Sequence, residues 1–348
     1  WGKDYKDVIV DYTGGTKAMS AALVLSTIEN CSSYSYIGGN DRSKEGVGIV
    51  IDGKERYCYH QNPWDELALN HLKIIDSSFN NARYVFAQKQ IEDILPKVDE
   101  KLKKLYEILK DMCELYYRWD SFKYKDANNL FGRVLNGLKH YQALSNESID
   151  YLVGELEKGQ KWMNELVACI NNNGVVEGVK GSMMVCSDFI SNAKRRAEKE
   201  NKYDDAVARL YSCIEKIAKY MLLEFGIDNS KTRKDQIPCE LENKFESALC
   251  YDKDEKKEFY KYGLSKSCDL LSHKDEDFKA RYVKMKKELE NLMTQRNKSA
   301  LAHGITPIKK ETYEKMLETT LKFAKISEDE IIRFPTMNVS LWGKEILK

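Results

Sequence analysis

Residues 7–28 read DVIVDYTGGTKAMSAALVLSTI, and they decide the fold of the N-terminal part of the chain. The first six, residues 7–12, form a short apolar, β-branched run that is typical of a buried strand. The segment TGGT at residues 13–16 follows, and from Lys17 onward the apolar residues recur at helical spacing. A strand joined to a helix by a glycine turn predicts an α/β domain here.

The turn between this strand and this helix has the residues of an anion-binding loop. Adjacent glycines let the backbone approach a ligand closely, and the free amides at a helix N-terminus favour anions. In open α/β sheets ligands bind at the carboxyl ends of strands, where this turn lies. Neither the Walker A spacing nor the G-x-G-x-x-G spacing is present, so a plain strand-to-helix turn stays an alternative. The predicted ligand-binding residues are Thr13, Gly14, Gly15, Thr16 and Lys17.

The rest of the chain has the sequence pattern of a helical protein, and the whole chain contains only 5 prolines in 348 residues. Residues 204–225 predict a strong helix that Gly226 closes. Residues 288–302 predict another helix, which ends before Gly304. The aromatic run at residues 115–122 is interpreted as core, since aromatic residues at helical spacing are more often buried than free to stack on bases.

Composition excludes several classes of protein. Hydrophobic residues make up 42% and charged residues 32%, and no apolar run approaches the roughly 20 residues that span a bilayer. With no secretory signal in view, we expect a cytoplasmic protein without membrane partners. The net charge of +1 argues against a protein that coats nucleic acid. The 9 cysteines contain no C-x-x-C pair, so we expect neither a zinc ribbon nor a disulfide framework.

Residues 296–303 read RNKSALAH and are the strongest candidate for chemistry. On a helix that continues to residue 302, Arg296 and His303 project from one face, about 10 Å apart along the axis. Two copies across a two-fold axis would bring both pairs to one site. An alternative interpretation is a helix end where both side chains merely cap carbonyl groups.

The chemistry of this pair suits RNA cleavage. His303 can take the proton of a 2′-hydroxyl or protonate the leaving oxygen. The helix dipole at its predicted position favours the imidazolium form, which suggests a general acid. Arg296 can hold the charge that develops on phosphate in the transition state. The RNA supplies its own nucleophile, so no metal or cofactor is expected for catalysis.

Several segments, in order along the chain, carry a resemblance. They are residues 11–19, Gly38-Gly39 through Arg42 with Gly46 and Gly48, residues 119–122, residues 204–211, and residues 296–304. Together they resemble CRISPR-associated proteins that join a CARF sensor domain to a HEPN ribonuclease domain, ancillary to type III CRISPR systems. Within the last segment, Arg296, the polar Asn297 and His303 match the HEPN signature R-x(4–6)-H.

The resemblance implies three domains. Residues 1–80 would be a partial α/β, Rossmann-like CARF domain, residues 81–200 a mostly α-helical connecting region, and residues 201–348 an all-α HEPN ribonuclease domain. CARF domains of this kind have strands, helices and a second ligand loop before the TGGTK-like loop. Either the N-terminal part of the sensor lies outside this sequence, or this chain has a reduced sensor.

The resemblance also implies a function. Cyclic oligoadenylate, a tetra- or hexa-adenylate, would bind residues 13–17 in a CARF homodimer and activate a HEPN homodimer. That dimer would cut single-stranded RNA without metal and leave a 2′,3′-cyclic phosphate, with Arg296, Asn297 and His303 as catalytic residues. Two alternatives stay open: a cyclic-oligoadenylate sensor whose HEPN domain is silent, and a ring nuclease that degrades its own activator while the HEPN domain is structural.

Overall fold

The structure is a computed structural model that describes residues 8–28, 33–39, 41, 50–60, 63–144 and 146–347. It is mostly helical, with two small sheets. The chain forms two compact units. Unit 1 consists of Trp1–Gln160 and Pro335–Lys348, and unit 2 of Lys161–Phe334. Among the described residues, no helix has the length and apolarity that crossing a bilayer would require.

Unit 1 begins with a small α/β segment and continues as helices. Its elements are β1 (Ile9–Asp11), α1 (Lys17–Thr27), β2 (Ser33–Gly38), β3 (Arg56–His60), α2 (Pro63–Asn80), α3 (Tyr84–Ile94), α4 (Glu100–Asp120) and α5 (Tyr124–Tyr141). The next helix, α6 (Glu147–Ala168), contains the division between the units.

The three-stranded sheet of unit 1 has the order β1-β2-β3. β1 runs parallel to β2, with α1 between them in sequence, and β3 pairs with β2 in antiparallel fashion. The strand and helix predicted from residues 7–28 are therefore present. The prediction that the strand is buried is wrong, because β1 lies at the edge of the sheet that the described residues form and Ile9 is 55% exposed. The assignment of this sheet to a Rossmann-like class stays a prediction. Arg42, Gly46 and Gly48, which were part of the resemblance to a CARF domain, lie outside the described residues.

The helices of unit 1 pack around aromatic side chains. Tyr116 and Trp119 on α4 are buried and stacked, with ring centroids 5.9 Å apart. Phe131 on α5 meets the Trp119 ring edge to face. The interpretation of residues 115–122 as core is thus confirmed for Leu115, Tyr116 and Trp119.

The C-terminal segment returns to unit 1 and docks on α2. The buried carboxylate of Asp76 accepts hydrogen bonds from the backbone amides of Val339 (3.0 Å) and Ser340 (2.8 Å). Asn80 exchanges two hydrogen bonds of 2.8 Å with the backbone of Met337. Trp342 is fully buried. Side chains on α2 thus hold residues that are more than 250 positions away in sequence.

Unit 2 is a helical bundle with one hairpin. After the end of α6 its elements are α7 (Gly178–Glu200), α8 (Tyr203–Glu224), α9 (Glu242–Phe245), β4 (Leu249–Asp252), β5 (Lys257–Tyr260), α10 (Leu264–Lys274), α11 (Glu276–Asn297) and α12 (Lys310–Ala324). Helix α8 is central and packs against α7, α10, α11 and α12. It matches the helix predicted at residues 204–225, and Gly226 follows it with a φ of +70°.

The two compact units do not coincide with the three predicted domain ranges. Helix α7 precedes residue 201, yet its Cys186, Ile190 and Ala193 belong to the same buried cluster as α8. The last residues of the chain belong to unit 1. The ranges 1–80, 81–200 and 201–348 stay a prediction about domain identity.

Candidate functional site

The helix that carries Arg296 ends sooner than its sequence predicts. α11 stops at Asn297, whereas the pattern predicted a helix through residue 302. The prediction that Arg296 and His303 share one helical face is therefore wrong. The amide of Ser299 bonds to the carbonyl of Arg296 at 3.0 Å, which tightens the last turn and bends the chain away from the axis.

Residues 298–306 fold back onto the end of α11 as a compact turn. The His303 amide donates to the Asn297 carbonyl at 3.2 Å, and the Thr306 amide donates to the Lys298 carbonyl at 3.0 Å. Ser299 is 2% exposed and accepts the amide of Gly304 at 3.1 Å. The carbonyl groups that a helix end leaves free thus find partners within the turn. We call residues 298–306 the catalytic turn, because they contain His303, which the sequence predicts to be catalytic.

Gly304 is required by this turn because of a close backbone approach. A Cβ atom at this position would lie 2.1 Å from the carbonyl oxygen of Lys298. We expect Gly304→Ala to lower the free energy of unfolding by about 1–3 kcal/mol, since backbone must move to admit the methyl group. Urea unfolding of Gly304→Ala beside Gly132→Ala measures this, because a Cβ at Gly132 would meet no atom within 4 Å. Equal stability of the two variants would contradict the close approach.

Arg296 is held in an unusual way for an arginine of unit 2. Its guanidinium carbon lies 4.4 Å from the centre of the Tyr211 ring on α8, a cation–π contact. Its Nη1 donates to Oδ1 of Asn297 at 3.1 Å. Its Nε is buried and has no hydrogen-bond partner among the described residues. The side chain is partly buried, and it forms no ion pair with any carboxylate that the structure describes.

Asn297 connects the two other residues of the predicted triplet. Its side-chain oxygen accepts from Arg296, and its backbone carbonyl accepts from the amide of His303. Asn297 and His303 are exposed. The catalytic turn therefore brings Arg296, Asn297 and the His303 backbone to one end of α11. In the part of the chain that the structure describes, no three His, Cys, Asp or Glu side chains are grouped to hold a metal ion.

Two residues of α8 that support this end of α11 were not predicted as site residues. Besides Tyr211, Asp204 accepts a hydrogen bond of 3.1 Å from the amide of Ile308, just beyond the catalytic turn. The positions are 104 residues apart in sequence. No local pattern points to such a pair, although Asp204 and Tyr211, seven residues apart on one helix, share a face.

The predicted ligand loop lies between β1 and α1. Thr16 is the N-cap of α1, and its hydroxyl accepts from the Met19 amide at 3.3 Å. The Thr13 hydroxyl accepts from the Ile37 amide at 2.7 Å. Gly15 has a φ of +97°, and a Cβ at Gly14 would meet nothing within 4 Å. The two threonines thus shape the loop, while Gly14 and the exposed Lys17 face open space.

Comparisons with known proteins bear on both units. Residues 177–327 match the family model described as the Csm6 HEPN domain, and residues 67–156 match the one described as the Csm6 6H domain. The first match contains α7 through α12 and therefore the catalytic turn, and the second contains most of α2 and all of α3, α4 and α5. No curated protein matches the chain.

Proposed function

This chain belongs to the Csm6-like CARF–HEPN family of CRISPR-associated proteins and is a HEPN ribonuclease, and we propose that it cuts single-stranded RNA without a metal ion when its N-terminal part binds a cyclic oligoadenylate. The observation that carries this proposal is the end of α11. There Arg296 forms no ion pair with any carboxylate that the structure describes, so its positive charge is not neutralised. The catalytic turn brings the His303 backbone to Asn297.

The proposed reaction uses groups of the RNA and of this chain. The 2′-oxygen of the ribose attacks the adjacent phosphorus, and the bond from phosphorus to the 5′-oxygen breaks. The products are a 2′,3′-cyclic phosphate and a 5′-hydroxyl. His303 protonates the leaving 5′-oxygen or takes the proton of the 2′-hydroxyl. The Arg296 guanidinium donates hydrogen bonds to the phosphate oxygens, on which negative charge develops.

A homodimer would supply the second acid–base group that this reaction needs. A two-fold axis beside the catalytic turn would place His303 of each copy near one phosphate. Two exposed apolar side chains, one before and one after His303 in sequence, support an interface here. Leu301 is 54% exposed and Ile305 is 93% exposed. Exposed apolar side chains beside a polar site are common where subunits pack together.

The activator site is proposed at the loop between β1 and α1. Its support is the strand–turn–helix arrangement, which puts the exposed Lys17 at the N-terminus of α1, where backbone amides favour anions. A cyclic oligoadenylate is a ring of phosphodiesters, so each subunit of a homodimer can offer the same loop to one half of the ring. Binding can activate only if the ring prefers one arrangement of the dimer.

The decisive experiment measures cleavage of a fluorescent single-stranded RNA in EDTA with cyclic tetra-adenylate, cyclic hexa-adenylate or neither. We expect cleavage with one ring only, and products that carry a 2′,3′-cyclic phosphate. Absence of cleavage with both rings would overturn the proposal. In that case the next experiment is to assay the cyclic nucleotide itself as a substrate. Its degradation would identify a ring nuclease, and its binding without degradation would identify a sensor.

Replacing Lys17 tests the activator site separately from the chemistry. We expect Lys17→Ala to raise the ring concentration for half-maximal activation about 10- to 100-fold, since a charge-assisted hydrogen bond contributes about 1.5–3 kcal/mol. The maximal cleavage rate at saturating ring should stay near that of the wild type. Lys54→Ala, another exposed lysine of unit 1, is the matched control. Superimposable activation curves for the two variants would place the activator elsewhere.

A further inference from the structure

Arg296 differs from its neighbours because it has an aromatic contact and no carboxylate partner among the described residues; Arg195 and Arg281 also lie over aromatic rings but pair with carboxylates. Arg196 and Arg209 pair with Asp205, and Arg281 pairs with Asp277. Arg296 instead lies over an uncharged ring, at 4.4 Å. A carboxylate partner would neutralise the guanidinium and occupy its N–H donors, whereas an aromatic face leaves the positive charge available.

Stacking also leaves the correct edge of the guanidinium free. The five N–H donors of arginine lie in the plane of the group, and the guanidinium carbon lies over the Tyr211 ring. One donor, on Nη1, reaches Oδ1 of Asn297, and Nε is buried, so the remaining N–H groups of Nη1 and Nη2 are the ones that a phosphate can reach. A phosphate in the plane of the guanidinium can therefore receive two hydrogen bonds while Tyr211 supports the group from below.

Tyr211 is itself held in place. Burial, and after it the charge and hydrogen bond of Glu215 one turn further along α8, raise the pKa of Tyr211 to about 12. The hydroxyl thus keeps its proton at neutral pH, and the ring does not form an ion pair with Arg296. Tyr211 also packs against the core of unit 2, which fixes the position of its ring.

We infer that Tyr211 is a positioning residue for Arg296: its ring holds the guanidinium at the height and tilt that phosphate binding requires, without neutralising its charge. This inference rests on the proposed ribonuclease function. Tyr211 does not touch the reacting atoms and acts through Arg296. Asp204 supports the same site from the same helix, because it holds the amide of Ile308 after the catalytic turn.

The test compares variants that keep the aromatic face with variants that lose it. Tyr211→Leu and Tyr211→Met are expected to lower kcat about 10- to 100-fold, as for a misplaced catalytic group. Tyr211→Phe keeps the aromatic face and should retain most of the wild-type kcat. Tyr220→Leu, the same substitution nine residues further along α8, is the matched control. Full kcat in Tyr211→Leu or Tyr211→Met, when wild-type protein cleaves RNA, would overturn the positioning role.

A double-mutant cycle separates positioning from a general loss of structure. If Tyr211 acts through Arg296, Tyr211→Leu should cause little further loss in an Arg296→Lys background, so the two effects should not add. Fully additive losses would overturn the inference. An NMR signal gives a second measurement that needs no activity. The Arg296 Nε–H signal, assigned by its loss in Arg296→Lys, should move downfield in Tyr211→Leu, because the aromatic ring no longer shields it.

These outcomes are distinguishable from failure of the proposed function. A wild-type protein that cleaves no RNA with either ring would refute the ribonuclease proposal and, with it, the role of Tyr211 in catalysis. A wild-type protein that cleaves RNA while the Tyr211 variants keep their kcat and the NMR signal does not move would refute the positioning role alone.

Discussion

Replacing His303 by alanine is expected to lower the rate of RNA cleavage at saturating activator about 10²- to 10⁴-fold, the range over which a general acid or base contributes. His303 is exposed at the catalytic turn, so the substitution leaves no cavity and should not change the free energy of unfolding by more than about 0.5 kcal/mol. Single-turnover cleavage of a fluorescent RNA, with the melting temperature measured in parallel, gives both quantities.

His273→Ala is the matched control for this experiment. His273 is also exposed, and it lies in the last turn of α10 in the same unit. We expect this variant to cleave RNA at the wild-type rate. A His303→Ala protein that cleaves as fast as His273→Ala would contradict the assignment of His303, even if the chain proved to be a ribonuclease.

Replacing Arg296 is expected to have the second largest effect. Arg296→Ala should lower kcat about 10²- to 10³-fold, as for loss of one donor to a developing negative charge. Arg296→Lys keeps a positive charge but loses both the planar fork and the extended face that stacks on Tyr211. It should therefore recover only part of the activity. The ratio of the two variants measures how much of the effect depends on geometry and how much on charge.

The control for Arg296 is Arg233→Ala. Arg233 is an exposed arginine of unit 2 whose guanidinium already pairs with Asp235 at 3.0 Å. Removing it should leave kcat unchanged within about two-fold, since exposed ion pairs contribute little. If Arg296→Ala loses no more activity than Arg233→Ala, Arg296 does not stabilise the transition state.

Local sequence signals predicted the elements that depend on local interactions. The turn at residues 13–16 ends a strand and begins a helix because Gly15 adopts a positive φ and Thr16 caps the helix. The helix at α8 ends where Gly226 allows a left-handed conformation. In each case the residues that decide the structure lie within a few positions of one another.

The end of α11 shows where such signals fail. Residues 298–302 have a helical pattern, but Ser299 is buried and the backbone of residues 303–306 returns to the carbonyls of 297–299. The sequence did mark Gly304 as a residue that shapes the backbone, since it was predicted to end a helix. It acts differently, through a close approach to Lys298. The sequence predicted which residues are special here and misplaced their geometry, because tertiary packing overrides helix propensity.

The return of residues 335–347 to α2 makes unit 2 an insertion within unit 1 along the chain. A tag or surface anchor that follows residue 347 is therefore joined to unit 1 and not to the ribonuclease unit. Expression of the ribonuclease unit alone needs two cuts, and the one after Gln160 would fall inside α6. A fragment that begins before Gly178 and ends at Phe334 keeps α7 through α12 whole. Deleting residues 335–347 would instead expose the buried carboxylate of Asp76 in unit 1.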